Sequence, residues 1–73
     1  MALELYSTST CPYCAEVREE FEWRERVFVE YDVSFDAQAR ARLIALTGGT
    51  LVPVVVEDGA VRSVGWKGRG CNV

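Results

Sequence analysis

Histidine is absent from this sequence, so a zinc knuckle would have to be built from its three cysteines alone. No basic stripe is present either. Eight Lys and Arg face eleven Asp and Glu, giving a net charge of -3 and a pI of about 4.8. Nothing in that balance neutralises phosphates, which excludes nucleic acid as the expected partner. Long apolar runs are missing: the longest, Leu51 to Val56, is broken by Pro53 and far too short to span a bilayer. Met1-Ala2-Leu3-Glu4-Leu5 opens in a strand pattern without the basic start of a signal peptide, so the expected compartment is the reducing cytosol. Repeats, linkers and low-complexity segments are also absent. The 73 residues read as a single domain, 1–73, and as a monomer. That length is near the lower limit at which a hydrophobic core alone sustains a fold.

What the chain does have is Thr10-Cys11-Pro12-Tyr13-Cys14. Two cysteines separated by two residues follow a short apolar run and open a charged, helix-like segment. Away from an oxidising compartment, this arrangement points to a redox dithiol. With a helix beginning near Pro12, Cys11 sits at its mouth, facing unpaired N–H groups and the positive end of the macrodipole. Both favour the thiolate, which is the nucleophile of disulfide exchange. Pro12 suits a first turn that needs no N–H. Cys14 follows about one turn later, where it can close a disulfide with Cys11 or resolve a mixed one, and is expected to be shielded while Cys11 is accessible. The third cysteine, Cys71, lies in a glycine-rich tail. It is either a free exposed thiol or an accessory one that reaches Cys11 or bridges two chains.

Leu3 to Tyr6 suits a first strand, and Ser7 to Thr10 a polar turn whose hydroxyls can cap the next helix. The helix expected from Tyr13 to about Arg26 carries Val17 and Phe21 as its inward stripe. Glu20–Arg24 and Glu22–Arg26 are its expected ion pairs, with Trp23 covering an edge. Val27 to Val33 is rich in β-branched and aromatic residues and reads as a second strand. Ser34 and Asp36 are candidate caps for a second helix that packs Ala37, Ala41, Leu43, Ile44 and Leu46, with Gly48 as its left-handed end. Pro53 to Glu57, the Asp58-Gly59 turn signal and Ala60 to Val64 form a hairpin. The expected order is β-α-β-α-β-β, an α/β fold with a four-stranded mixed sheet and the two cysteines at the C-terminal end of the first strand.

Cys11-Pro12-Tyr13-Cys14 after the first strand, with Leu51-Val52-Pro53 before the third, resembles glutaredoxins, and the likeness runs from Leu3 to Gly65. It implies a thioredoxin-like fold and a cis peptide at Pro53. It also implies that the backbone of Val52 pairs with glutathione or a thiol peptide, an expectation consistent with the extended conformation that proline imposes on its predecessor. Two family features are missing. The position three residues before Cys11, often basic, is Thr8. No third helix is expected after Gly65, so two devices that hold glutathione carboxylates are expected to be missing, with Lys67 and Arg69 as the available substitutes. Trp66-Lys67-Gly68 is similar to the ending of NrdH-type redoxins, which take electrons from thioredoxin reductase and pass them to ribonucleotide reductase.

The resulting expectation is a dithiol–disulfide oxidoreductase reducing protein or glutathione mixed disulfides. Cys11 and Cys14 are catalytic. Tyr13, Val52 and Pro53 form the docking surface, Thr10 and Pro12 support the site, and Trp66, Lys67 and Cys71 are accessory. No cofactor is expected to be tightly bound, and glutathione would be a co-substrate. Two other readings stand beside it: an iron–sulfur module shared by two copies, against which Pro12 speaks, and a zinc- or thiol-responsive module using Cys71 with the paired cysteines.

Overall fold

The computed structural model describes residues 2–73. Strand β1 (Leu3–Ser7) leads into helix α1 (Pro12–Trp23), strand β2 (Val29–Asp32) and helix α2 (Ala37–Thr47). The short strand β3 (Leu51–Val52) precedes the β4 (Val54–Glu57) and β5 (Ala60–Val64) hairpin, and strand β6 (Cys71–Asn72) closes the series. The main sheet has four strands in the order β2-β1-β4-β5. β1 runs parallel to β2 and antiparallel to β4, with Tyr6 opposite Tyr31 on one side and Val54 on the other. This is the expected mixed sheet with two helices.

Alternation along the central strands divides the core between the helices. Leu3 and Leu5 of β1 and Val55 of β4 cluster with Val17 and Phe21 of α1. Tyr6, Val54 and Val56 cluster with Ala39 and Leu43 of α2. The α1 stripe is therefore as expected, but the α2 face is not. Ala37, Ala41, Ile44 and Leu46 are exposed, and burial falls on Ala39 and Leu43, four residues apart. Apolar residues on more than one side of the helix hid which stripe faces the sheet.

Local chemistry accounts for the element ends. Helix α1 stops at Trp23, short of the expected Arg26, because Glu25 turns left-handed (φ 55°). Arg26 N–H then bonds Phe21 O at 2.9 Å and Glu25 N–H bonds Glu22 O at 3.1 Å, the paired bonds of a Schellman ending. Arg26 is thereby diverted from Glu22 to Glu57 (2.7 Å), while the expected Glu20–Arg24 pair forms at 3.5 Å. Trp23 is 86% exposed and covers no edge, and Val27 is exposed outside the narrower β2. Asp36 caps α2 by accepting from Ala39 N–H (3.1 Å), whereas Ser34 bonds Asp32. Gly48 ends α2 at φ 77°. Asp58 and Gly59 both have positive φ, as a two-residue type I′ hairpin demands.

The tail departs most from expectation. Lys67 and Gly68 also both have positive φ, and Trp66 and Arg69 exchange N–H···O bonds of 2.6 and 2.9 Å across them. This second tight turn sends the chain back as β6, antiparallel to β3, with Leu51 opposite Asn72 and Val52 opposite Cys71. The expected absence of a third helix holds among the described residues, but the segment is an ordered strand, not a loose tail.

Candidate active site

Cys11 is the N-cap residue of α1, with Pro12 in the first turn and no side chain capping the helix. The hydroxyls of Ser7 to Thr10 do not serve, contrary to expectation. Ser7 Oγ instead donates to Glu30 Oε2 (2.6 Å), and Thr8 contributes its carbonyl to Cys11 N–H (3.4 Å). The uncapped first turn leaves its N–H groups available to the Cys11 sulfur, the electrostatic condition for a stabilised thiolate.

Cys11 is disulfide-bonded to Cys71, with Cα atoms 6.0 Å apart, and Cys14 is the free cysteine. The bond joins residues 60 apart in sequence, and it departs from the expected Cys11–Cys14 pairing. The other readings of Cys71, as a free exposed thiol or an intermolecular bridge, are likewise not what is seen. In this oxidised state Cys11 is only 3% exposed, so the accessibility expected of it is lost under the tail. Cys14 is fully buried, as expected. Cys11 and Cys14 belong to one cluster with Val52, against which Tyr13, Tyr31, Cys71 and Val73 pack.

Burial pushes the Cys14 thiol pKa up, because the charged form would lose its hydration. A backbone hydrogen bond from Thr8 and the Arg18 guanidinium pull in the other direction, and Glu30 and Asp32 add to the rise. Arg18 is the positioned charge here. It lies one turn beyond Cys14 on α1 and grips Glu30 through both carboxylate oxygens, with Nε–Oε1 at 2.8 Å. Those bonds, with that from Ser7, hold the Glu30 carboxyl below its ordinary range. Within this charge run only Glu20–Arg24 and Glu22–Arg26 are the expected pairs, which leaves Arg18 out. The i,i+4 spacing of Cys14 and Arg18 was the signal that could have found it.

The Val52–Pro53 bond is cis, as the resemblance implies. Neither residue is an open docking surface in this state. Val52 is fully buried and Pro53 nearly so, and the Val52 backbone edge is paired with Cys71. Thr10 and Pro12 are exposed beside Cys11, and Tyr13 is half-buried. Trp66, expected as an accessory residue, is half-buried against the α1-side cluster, with Lys67 Nζ 5.7 Å from its ring centre. Tyr13, Glu16, Trp66, Lys67 and Arg69 border a shallow cleft of about 250 Å³. Among the described residues, no helix is long and apolar enough to cross a membrane.

The glutaredoxin family model matches residues 3–61. An uncharacterised glutaredoxin-like 8.6 kDa protein in the rubredoxin operon of Clostridium pasteurianum is 32% identical over 59 residues, covering 81% of this chain and 79% of that protein. Among solved structures, the thioredoxin-like protein BC3987 is 36% identical with a TM-score of 0.77, covering 84% of each chain. A glutaredoxin from Archaeoglobus fulgidus shares the fold at a TM-score of 0.80 and 23% identity, over 92% of this chain and 78% of that one. A helix-mouth cysteine, a second cysteine buried one turn on and a cis-proline loop thus occur together on a thioredoxin-like sheet, and the chain belongs to the glutaredoxin family.

Proposed function

We propose that this protein is a thiol–disulfide oxidoreductase in which Cys11 attacks disulfides of proteins or of glutathione. The observation that carries the reading is Cys11 itself: an uncapped helix N-terminus places its sulfur at the positive end of α1, already engaged in a disulfide. As thiolate, Cys11 attacks one sulfur of the substrate, expels the other as a thiolate and retains a mixed disulfide. A second cysteine then releases the bound half. By its place in the paired-cysteine motif, Cys14 is the expected resolver.

Docking falls to Tyr13 and to the backbone of Val52 beside cis Pro53, an edge that becomes available to a peptide when β6 leaves it. Glutathione is the proposed electron source and a co-substrate, with no tightly bound cofactor. Lys67 and Arg69, at the cleft beside Tyr13, supply cations for its carboxylates. The NrdH-type alternative rests on Trp66-Lys67-Gly68. It is weakened by the partial burial of Trp66, which removes much of the aromatic surface a reductase would grip. A metal- or cluster-binding module would need cysteine thiolates, and Cys11 and Cys71 are here joined to each other.

The test measures disulfide reduction in parallel with glutathione plus glutathione reductase and with thioredoxin reductase plus NADPH. Turnover in the first system supports the reading. Turnover only in the second moves the protein to the NrdH type, and none in either ends the oxidoreductase assignment.

A further inference from the structure

We propose that Cys71 is the resolving cysteine, delivered by strand β6 to the same backbone edge on which the substrate docks. This deepens the oxidoreductase reading and rests on it. In the reaction, the Cys11 thiolate attacks R–S–S–R′ and R′–S⁻ departs. The Cys71 thiolate then attacks Cys11 Sγ, the Cys11–S–R bond breaks, and R–S⁻ leaves and takes up a proton from water. The substrate disulfide gains two electrons and the Cys11 and Cys71 thiols are oxidised to one disulfide. A thiol reductant, glutathione or a reductase dithiol, returns the protein to its starting state.

Three features of the tail support this assignment. First, β6 pairs with β3 so that Cys71 stands opposite Val52, immediately before cis Pro53. A substrate strand and β6 cannot both hold that edge, so entry of the tail displaces the released half of the substrate. Second, the tail is fastened beyond the cysteine. Val73 N–H donates to Thr50 O (3.1 Å), and the Arg40 guanidinium donates to Val73 O (3.1 Å). Third, the approach is shaped by glycine. A Cβ on Gly70 would stand 2.6 Å from Val52 O, and one on Gly65, at φ 81°, would stand 2.8 Å from Arg69 O. Only a chain without side chains at these points can bring Cys71 onto the Cys11 sulfur.

Cys14 is less suited to the task. It is fully buried, and desolvation holds its thiol protonated. Cys71 sits on a two-residue strand, too short to be stable by pairing alone and therefore able to leave when its disulfide is cut.

The experiment uses reduced full-length protein and glutathione disulfide as probe. The first glutathione leaves on Cys11 attack, so release of the second is followed after rapid mixing, and the disulfides are mapped by mass spectrometry. The wild type is expected to end as Cys11–Cys71. Cys71→Ser should slow release of the second glutathione by roughly tenfold or more and accumulate glutathione on Cys11, whereas Cys14→Ser should still form the Cys11–Cys71 bond. Gly70→Val keeps every cysteine but blocks the strand, and should reproduce the Cys71→Ser delay. Release that is normal in Cys71→Ser and lost in Cys14→Ser overturns the assignment. Normal release from Gly70→Val overturns delivery by strand pairing. Failure of the oxidoreductase reading looks different: the probe would not react with Cys11, or would react equally with Cys11→Ser.

Discussion

The two sheets of this molecule are held together in opposite ways. The four-stranded sheet buries alternating side chains against a helix on each face and is anchored by Leu5, Val17, Leu43 and Val56, all almost fully buried. The two-stranded β3–β6 patch has two residue pairs, close approach at Gly70, two hydrogen bonds at Val73 and one covalent bond. Hydrophobic burial is non-directional and persists in any redox state. The patch depends on a bond that chemistry can cut. The cysteines Cys11 and Cys14 lie at the edge both parts share, within the core cluster of the main sheet, and the short tail strand is the part that the disulfide fastens to it.

The sharpest way to break this comparison is at Cys11. Cys11→Ser removes both the nucleophile and the clamp, and disulfide reduction should be lost entirely in the coupled assay.

The next largest effect comes from reduction alone. A disulfide spanning 60 residues is expected to stabilise the oxidised protein by about 4 kcal/mol through the unfolded chain. A Cys11–Cys14 bond, closing only one turn, would give less than about 2 kcal/mol. Urea unfolding of oxidised and reduced protein reads this difference, and Cys71→Ser should show no such gain.

Leu5→Ala strikes the permanent part. Deleting this fully buried side chain should cost about 3 kcal/mol. The loss should be equal in oxidised and reduced protein, because the two effects are independent.

A smaller effect follows from the buried Cys14 thiol. Its pKa is raised above the ordinary 9.0, so its contribution to stability is complete below that pH. That contribution is lost as pH rises through the higher folded value, where the unfolded chain ionises more readily. Reduced wild-type protein should lose stability above about pH 9 more steeply than Cys14→Ala, as measured by urea melts across that range.

The smallest effect belongs to Arg18→Gln, which cuts an ion pair with part-exposed partners and should cost less than about 1 kcal/mol. Because Arg18 lowers the Glu30 pKa, its contribution is present above the ordinary carboxylate range and is lost as pH falls through the folded value. Acid melts of wild type and variant should therefore converge.

The two sheets also differ in how far the sequence reveals them. Val17 and Phe21, the β-branched run ending at Val33 and Asp58-Gly59 carry local periodicity or turn chemistry, so the main sheet and the cysteine-bearing helix are readable directly. The α2 face is not, since five apolar residues offered more than one stripe and only packing selects Ala39 and Leu43. Strand β6 is harder still. Two residues carry no period, and glycine spacing that lowers helix propensity gives no hint that Cys71 will pair with Val52. The odd number of cysteines was the one signal there, and it left several partners open. Lys67-Gly68, read as part of a glycine-rich tail, has the same double left-handed geometry as Asp58-Gly59 and differs only in lacking the side chain that advertises it.

The connection from Gly65 to Gly70 also sets a concentration scale. It ties Cys71 to the sheet that carries Cys11, so the tail thiol meets its target as an intramolecular neighbour. Short flexible tethers confer effective concentrations on the order of millimolar. A free thiol far below that level loses the contest for Cys11 however well it fits, whereas one at or above it shares the site. Under the proposed role of Cys71, the length of this six-residue connection therefore sets the thiol concentration needed to compete for Cys11.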